Sequence, residues 1–404
     1  MLNADRWHKL LRRGWTVLQN AAHQLMQPFL NIIVSALVIR QTSETVWGAF
    51  ISILILVQLS ATVSAWGSKD YLLRAFSRDP HTIPQQWQAN LFTRAGITLL
   101  ACALTVFYAA SVQQAGLLAL WIVLLVLATA FDVIIVYRRA FPMAIATDLL
   151  VTALRAGVVV ALGASLTADH LIALFVVTTG LKAVIYMVCF SDILRPLQFD
   201  IKPTFYRVAL PFFLLGFSGM LASRIDLYTV SVFESDAEVG RYQVFINLML
   251  YLQALSQFIL LPYVKTLYRM PDDSLYRVGR RLFLLGCVMV PLALLASDVL
   301  LRVVYNMRFS PGFIVLGGMF VLPIYAYLPL IHRLYSRDEQ RHVLTANVVG
   351  AVLNLIGNIV LLPRLGIAGA LLSSGVMQWG MLIYYVYKSA GQQQASLSGV
   401  FAGD

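Results

Sequence analysis

Residues 115–136 read AGLLALWIVLLVLATAFDVIIV, and this stretch of 22 residues contains a single charged side chain, Asp132. Two arginines, Arg138 and Arg139, follow it directly. An α-helix needs about 20 apolar residues to cross a hydrocarbon core about 30 Å thick. The stretch therefore predicts a transmembrane helix that ends in a basic loop.

Similar stretches fill the rest of the chain. Its 404 residues are 59% hydrophobic and 12% charged, with a mean hydropathy of +0.77, whereas a soluble domain carries about 25% charged residues. Lipid offers no partners to backbone amides, so every span must be helical. We predict an all-α integral membrane protein with about twelve transmembrane helices. The predicted spans are 14–39, 46–66, 90–112, 115–136, 143–165, 169–190, 207–232, 242–264, 282–304, 312–332, 343–362 and 366–387.

The basic residues predict the orientation. With the N-terminus inside, the inner segments hold 21 Lys and Arg residues and the outer segments hold five. Cytoplasmic loops carry the excess of Lys and Arg, so we expect both termini in the cytoplasm. The same rule explains the net charge of +11, and we expect no nucleic-acid partner. The first span lacks a small-residue cleavage site, which favours a retained helix over a signal peptide.

The long inner connection at 191–206 divides the chain into two sets of six spans. We predict an N-terminal bundle over 1–197 and a C-terminal bundle over 198–388. Two such bundles would place a substrate pathway near the middle of the membrane. The polar segment 389–404 is expected to be a cytoplasmic tail without regular structure.

Catalytic patterns of soluble enzymes are absent from the sequence. There is no phosphate-binding glycine loop, no Gly-x-Ser-x-Gly elbow and no His/Cys cluster with metal spacing. A membrane-embedded polymerase or ligase would need a large outer loop, and the predicted outer loops have fewer than about ten residues. We therefore expect no catalytic residues, no metal and no cofactor.

Charged residues inside the spans are the candidate binding residues, because a charge at the centre of a membrane helix costs about 2.5–3.5 kcal/mol. Arg155 lies in the middle of the fifth span, too deep to reach water, so it either pairs with a carboxylate or meets an anion in a hydrated cavity. Arg224 and Asp226 lie in the seventh span. Asp226 could pair with a buried cation or act on substrate or protons.

Two further cations leave alternatives open. Arg94 lies near the inner end of the third span, and Lys182 about eight residues from the inner end of the sixth. Either side chain could extend to the lipid headgroups or line a cavity.

A polar stripe follows one face of the first span. Asn20, Gln24, Gln27 and Asn31 are spaced four, three and four residues apart, so they share a face of the helix. Amide groups hydrogen-bond sugar hydroxyls well, and they also form hydrogen bonds between membrane helices. The stripe is thus a candidate glycan surface or a helix–helix contact.

Two stretches resemble a known family. Residues 225–228 (IDLY), 239–244 (VGRYQV) and 261–262 (LP) are similar to spans 7 and 8 of the polysaccharide transporters in the multidrug/oligosaccharidyl-lipid/polysaccharide exporter superfamily. Residues 354–363 (NLIGNIVLLP) and 366–370 (GIAGA) are similar to the junction of spans 11 and 12 in that family.

This resemblance to O-antigen flippases implies a V-shaped pair of six-helix bundles that works by alternating access. The implied substrate is an undecaprenyl-pyrophosphate-linked oligosaccharide, such as an O-antigen repeat unit, moved from the cytoplasmic to the periplasmic leaflet. Membrane lipids, a polysaccharide polymerase and a chain-length regulator are the other implied partners. The alternative is a drug or cation antiporter of the same superfamily, which would need a net acidic cavity.

Overall fold

Helices form all the regular structure in the part of the chain that the computed structural model describes. That part is the backbone of 4–260 and 263–401, with the side chains of 19, 22, 23, 25–260, 263, 264, 266–271 and 274–389. The long helices are α1 (Ala4–Gln41), α2 (Glu44–Ala65), α4 (Ile83–Leu104), α5 (Val112–Ala130), α7 (Phe141–Leu162), α8 (Ala168–Cys189), α10 (Thr204–Phe233), α11 (Asp236–Leu260), α13 (Asp272–Val304), α14 (Pro311–Ser336), α15 (Gln340–Leu365) and α16 (Ile367–Phe401). The short helices are α3 (Ser68–Arg78), α6 (Asp132–Arg138), α9 (Ser191–Leu194) and α12 (Val264–Leu267).

Membrane-spanning length and hydropathy occur in eleven helical segments of this described part. The apolar portion of α1, Leu25–Gln41, adds a shorter apolar helix where the first span was predicted. The predicted all-α membrane fold with about twelve transmembrane helices is confirmed.

The third span begins earlier than predicted, at Ile83 rather than at residue 90. Polar residues at its start suggested a loop, but Gln88 is 2% exposed inside the helix. Its Nε2 atom donates to the carbonyl of Ile193 at 2.8 Å, so the polar side chain is satisfied without leaving the helix. The predicted start of the span was wrong because the sequence does not distinguish a polar residue that is buried and hydrogen-bonded within a helix from a polar residue in a loop.

Contacts divide the chain into two compact units, Met1–Phe217 (unit 1) and Ser218–Asp404 (unit 2). The boundary lies twenty residues beyond the division proposed from the sequence, because the first half of α10 packs within unit 1. There the indole of Trp66 stacks on the ring of Phe213, with centroids 4.1 Å apart, and the indole N–H donates to the carbonyl of Tyr206 at 3.0 Å.

Aromatic side chains build the core of unit 1 near the ends of α4, α5 and α8. Trp87 is 1% exposed, and its indole N–H donates to the carbonyl of Ala130 at 2.8 Å. The rings of Trp87 and Phe131 lie 4.8 Å apart, and Phe131 stacks on Phe190. This core fixes the helices that carry the charged residues described below.

Close helix packing in unit 2 depends on a glycine. A Cβ at Gly317 of α14 would lie 2.7 Å from the ring of Phe245 and 2.8 Å from the sulfur of Met249, both in α11. Only a residue without a side chain allows the two helices to approach this closely. Phe245 also contacts the rings of Phe309 and Phe313.

The polar C-terminal segment differs from its prediction. Helix α16 continues to Phe401, although residues 389–404 were expected to have no regular structure. No proline interrupts the segment, and Ser389 is 1% exposed, with its carbonyl accepting from Arg333 Nη1 at 3.3 Å. Residues 402–404, like the predicted helix end at 261–262, lie outside the described residues.

Candidate functional site

A cluster of charged and polar side chains forms in unit 1 where α1 and α8 pack against α7. Lys182 Nζ lies 2.6 Å from Asp148 Oδ1. Gln27 Nε2 donates to Asp148 Oδ2 at 2.8 Å, and His23 Nε2 lies 4.0 Å from the same oxygen. We call these four residues, His23, Gln27, Asp148 and Lys182, the Asp148 cluster.

Helical spacing explains why the cluster forms. His23 and Gln27 are four residues apart on α1 and therefore share one face. Asp148 is 4% exposed and Lys182 is 22% exposed, so the pair is largely withdrawn from solvent. A buried carboxylate is tolerated when it is both paired and hydrogen-bonded, and Lys182 and Gln27 supply these two contacts.

More charges lie near the cluster. Asp132, at the start of α6, interacts electrostatically with Lys182, His23 and Lys69. The side chain of Lys69 belongs to the amphipathic helix α3 and is exposed. The cluster is thus part of a mixed-charge region rather than a purely basic or purely acidic one.

Arg155 occupies a different environment two turns further along α7. It lies ten residues before Ser165, where the helical segment ends. Its Nε donates to Thr178 Oγ1 at 2.9 Å, and its guanidinium carbon lies 3.8 Å from the centroid of the Phe175 ring. Among the described residues, no carboxylate lies within 4.0 Å of it. Its direct contacts are neutral groups, and Asp148 acts on its charge only from a longer distance.

Helices α7 and α8 therefore carry two successive polar contacts. Asp148 and Arg155 are seven residues apart on α7, and Thr178 and Lys182 are four apart on α8. These spacings place each pair on one helix face, with the α7 residues about 10 Å apart along the axis. The sequence identified Arg155 and Lys182 as candidates but did not show that Asp148 is the partner of Lys182.

A second polar network forms in unit 2 around Asp226. Its Oδ2 atom accepts from the hydroxyl of Tyr242 at 2.6 Å and from the hydroxyl of Ser374 at 3.2 Å. Its Oδ1 atom accepts from the backbone N–H of Leu227 at 2.8 Å. Asp226 is 1% exposed, and hydroxyl groups of its own unit, rather than a cation, contact the carboxylate.

The stretches that resemble the polysaccharide transporters meet in this network. Asn354 Nδ2 donates to Ser374 Oγ at 3.1 Å, and Asn358 Nδ2 donates to Thr229 Oγ1 at 2.8 Å. Asp226 and Thr229 come from α10, and the two asparagines come from α15. The Asp, Tyr and Asn residues of the two stretches thus form one hydrogen-bonded unit. The motif spacing alone could not reveal this.

Arg224 also bonds within unit 2. Its Nη1 donates to Asn247 Oδ1 at 2.7 Å, and its side chain is half-buried. Its charge also acts electrostatically on Asp226 and Tyr242.

Arg94 is deeper than the sequence suggested. Because α4 begins at Ile83, Arg94 is the twelfth residue of the helix and lies about 16 Å from its start. It is 2% exposed, and its Nη1 donates to the carbonyl of Ser64 at 3.4 Å. The interpretation that this side chain extends to the headgroups was wrong, because the helix starts seven residues earlier than predicted.

The polar stripe of α1 is only partly visible. Gln27 bonds to Asp148, which is a helix–helix contact of the kind that the sequence left open. Asn31 is exposed. The side chains of Asn20 and Gln24 lie outside the described residues.

Sequence reasoning gave little weight to His23 and none to Thr178 or Phe175. Helical spacing could have indicated two of them, because His23 lies four residues before Gln27 and Thr178 lies four residues before Lys182. Phe175 carries no sequence signal, because an aromatic residue in a membrane helix is ordinary.

Two solved transporters share the architecture of this chain. One is the lipid II flippase MurJ in an inward closed conformation, with a TM-score of 0.66 and 13% identity over 93% of this chain and 87% of that one. The other is a multidrug resistance MATE family transporter of the MOP superfamily in an inward-facing conformation, with a TM-score of 0.57 and 11% identity over 94% of this chain and 98% of that one. The chain therefore shares the fold of these two transporters.

The evidence for this fold is structural. No protein-family model matches the sequence, and no curated protein matches it. At 11% and 13% identity, the likeness concerns the arrangement of the helices and assigns no residue a role.

Proposed function

We propose that the chain is a flippase that moves an undecaprenyl-pyrophosphate-linked oligosaccharide from the cytoplasmic to the periplasmic leaflet by alternating access. An O-antigen or related polysaccharide repeat unit is the proposed cargo. The observation that carries the proposal is Arg155, a membrane-embedded guanidinium whose contacts are a hydroxyl group and an aromatic ring.

The chemistry of Arg155 suits a diphosphate. Its Nε is bonded to Thr178, while the two Nη groups have no hydrogen-bond acceptor among the described residues. A guanidinium presents planar donors that match phosphate oxygens in a two-point contact. A cation inside a membrane segment with no carboxylate in direct contact marks a functional site by default, and we propose that an anionic substrate supplies this contact.

The Asp148 cluster supports the same proposal in a second way. Lys182 is a further cation on the same face of α8 as Thr178, and Asp148 holds it at 2.6 Å. An arriving diphosphate competes with Asp148 for Lys182. Asn31, exposed on α1, and the stripe residues Asn20 and Gln24 are proposed to contact the glycan.

The unit 2 residues are proposed to act less directly. Arg224 is half-buried and bonded to Asn247, which leaves it further donors for substrate. Asp226 and the buried Arg94 are proposed to shape the helices near the pathway, because both are at most 2% exposed.

The setting of the proposal is a bacterial inner membrane with both termini in the cytoplasm. The bias of 21 inner to five outer Lys and Arg residues supports this orientation. A polysaccharide polymerase and a chain-length regulator are the proposed protein partners. We propose no chemical reaction for the chain.

The direct test is deletion of the gene, followed by lipid extraction and measurement of the surface glycan. A flippase defect leaves lipid-linked repeat units on the cytoplasmic face and removes the glycan from the surface. Wild-type plasmid-borne protein restores both. Unchanged surface glycan in the deletion strain would refute the proposal.

A drug or cation antiporter is the second candidate. It is favoured by the carboxylate of Asp148 beside His23 at 4.0 Å, because such a pair can exchange a proton for a cation, and by the fold shared with the MATE transporter. In this case, deletion lowers drug tolerance and leaves the surface glycan intact. Asp148→Asn then removes proton-dependent efflux.

A further inference from the structure

Unit 1 contains a cavity of about 540 Å³ away from the Asp148 cluster. Its walls come from α3, from the first half of α4 and from the start of α10 together with the preceding residue Lys202. These segments lie on the side predicted to be cytoplasmic. We propose that this cavity, here called the α3–α4 pocket, binds a phosphate group.

Positive charge dominates the polar wall of the pocket. Arg74 and Arg78 are four residues apart on α3 and share one face. Both line the cavity, both are exposed, and neither is paired with a carboxylate among the described residues. Lys202 is the third cation, and its Nζ lies 3.2 Å from Asp200. Asp79 is the one carboxylate in the wall, so the cations outnumber it.

A buried amide in the wall has no hydrogen-bond partner. Asn90 of α4 is 4% exposed, and neither its Nδ2 nor its Oδ1 has a partner among the described residues. Gln86, one turn earlier on the same helix, donates from Nε2 to Thr82 Oγ1, but its buried Oε1 has no partner among those residues. Buried polar groups are nearly always satisfied, so the unpartnered amide of Asn90 supports the presence of a polar ligand in the cavity. The Nδ2 group of Asn90 can donate to a phosphate oxygen.

The pocket is held open by contacts that do not involve a ligand. The backbone N–H of Lys202 donates to Thr93 Oγ1 at 2.9 Å, and the N–H of Gln198 donates to Gln88 Oε1 at 2.6 Å. These bonds fix the segment before α10 on α4. At the turn between α2 and α3, Gly67 has φ +67°, and a Cβ there would lie 2.6 Å from the backbone N of Phe213. The turn therefore packs directly against α10 beside the pocket, which fixes α3 relative to α10.

Part of the wall is apolar. Phe205, Val208 and Phe212 of α10 line it. A cavity lined by both guanidinium groups and aromatic rings suits a phosphate attached to a hydrocarbon chain, and the guanidinium groups alone suit a free phosphate or diphosphate. The shared chemistry is the phosphate group. The proposal is independent of what the protein transports.

Ligand binding to the purified full-length protein tests the proposal. The probes are inorganic pyrophosphate and phosphatidic acid in detergent micelles, with phosphatidylcholine as the zwitterionic lipid control. Binding is measured by native mass spectrometry and by the ligand-induced shift of Tm. We expect at least one anionic probe to bind and phosphatidylcholine to bind much more weakly.

Matched variants locate the binding site. The double variant Arg74→Gln/Arg78→Gln should weaken binding about tenfold or more, because two charge-assisted hydrogen bonds are lost. The variant Arg280→Gln/Arg281→Gln removes the same charge from exposed positions of α13 and should leave affinity within about twofold. Asn90→Leu keeps all the charges and should also weaken binding, which separates the pocket from general surface attraction.

The probes also separate the two sources of phosphate. Pyrophosphate binding shows that the phosphate chemistry suffices, whereas binding of phosphatidic acid alone shows a lipid headgroup site that needs the apolar wall. Lys202→Gln serves as a second charge variant if the arginine double variant does not fold. The proposal is overturned if neither anionic probe binds, or if the α13 variant weakens binding as much as the pocket variants.

Discussion

Lys182 of α8 and Arg155 of α7 both lie at the contact between these two helices, but one has a charged partner and the other has neutral partners. Lys182 Nζ lies 2.6 Å from the carboxylate of Asp148, whereas the guanidinium of Arg155 lies against the hydroxyl of Thr178 and the ring of Phe175. Lys182 is paired with a carboxylate of the protein, whereas no carboxylate in the described part of the chain contacts Arg155 directly, which is why we propose that it binds an anionic substrate. The first two predictions test this difference.

Arg155→Ala should abolish complementation of the deletion strain while the protein still reaches the membrane. The variant loses a charge-assisted contact of about 1.5–3 kcal/mol, which corresponds to about 10- to 100-fold in substrate affinity. Arg155→Lys should retain part of the activity, since it keeps the charge but loses the planar pair of donors. The surface glycan level and the membrane content of the protein are measured together.

The matched control is Arg302→Ala. Arg302 lies near the end of α13, pairs with Asp298 at 2.7 Å and is 54% exposed, so its loss should leave the surface glycan unchanged. Full activity of Arg155→Ala would end the assignment of this residue to the substrate.

Lys182→Met should destabilise the protein, because it leaves the carboxylate of Asp148, 4% exposed, with no cation. Removing one partner of a buried ion pair lowers the free energy of unfolding by about 3–5 kcal/mol. We expect a loss of about 3 kcal/mol here, because Gln27 still donates a hydrogen bond to Asp148. The double variant Asp148→Asn/Lys182→Met should recover most of the loss. Thermal unfolding in detergent measures both, and a double variant as unstable as the single one contradicts the pairing.

Tyr242→Phe should cost about 1–3 kcal/mol, since it removes a hydroxyl donor from the buried carboxylate of Asp226. Tyr385→Phe is the control: Tyr385 is 0% exposed, and its hydroxyl has no hydrogen-bond partner in the described part of the chain. Its removal should be neutral or stabilising. Equal effects of the two substitutions on Tm would show that the bond to Asp226 contributes nothing.

Cysteine labelling should confirm the orientation. In a version with Cys102, Cys189 and Cys287 replaced by serine, Ser235→Cys, exposed between α10 and α11, should react with an impermeant maleimide in intact cells. Ser77→Cys, exposed on α3, should react only after permeabilisation. The reverse pattern would invert the topology.

A pH dependence is expected at the end of α8, outside the membrane. The hydrogen bond from Arg138 Nη1 to Asp192 Oδ1, at 3.1 Å, lowers the pKa of Asp192. A lowered pKa means that this contact stabilises the fold above the ordinary pKa of about 3.9 and is lost as the pH falls through the folded value. The pair is exposed, so its effect is at most about 1 kcal/mol. Asp192→Asn should lower Tm slightly at pH 7, and the difference should vanish in acid.

Sequence patterns predicted the helices better than their contacts. Apolar runs located eleven helices of membrane-spanning length and the shorter apolar helix Leu25–Gln41, because lipid leaves the backbone no alternative to a helix. They misplaced the start of α4, where Gln88 is buried and bonded to a neighbouring backbone. The apolar runs placed Lys182 and Asp148 in different spans but could not predict that they pair. Which faces of two helices meet depends on how the helices pack together, and the sequence of one helix does not determine this.

The motifs show the same limit in unit 2. Asp226, Tyr242 and Asn354 were each visible in stretches that resemble the polysaccharide transporters. Their convergence through Ser374 required the fold, because Ser374 belongs to no motif. Arg155 differs from these residues, because its charge and its depth in the span were enough to make it a candidate binding residue. The structure adds that Thr178 and Phe175 are its neighbours.

The neutral setting of Arg155 has a kinetic consequence. Under the proposed function, an anion that binds this guanidinium displaces no contacting carboxylate, so we expect both its association and its dissociation to be fast. The ammonium group of Lys182 must first separate from Asp148, so we expect the anion to bind Lys182 more slowly and less tightly. Moderate affinity of this kind favours repeated transport cycles, because a substrate bound too tightly would not be released.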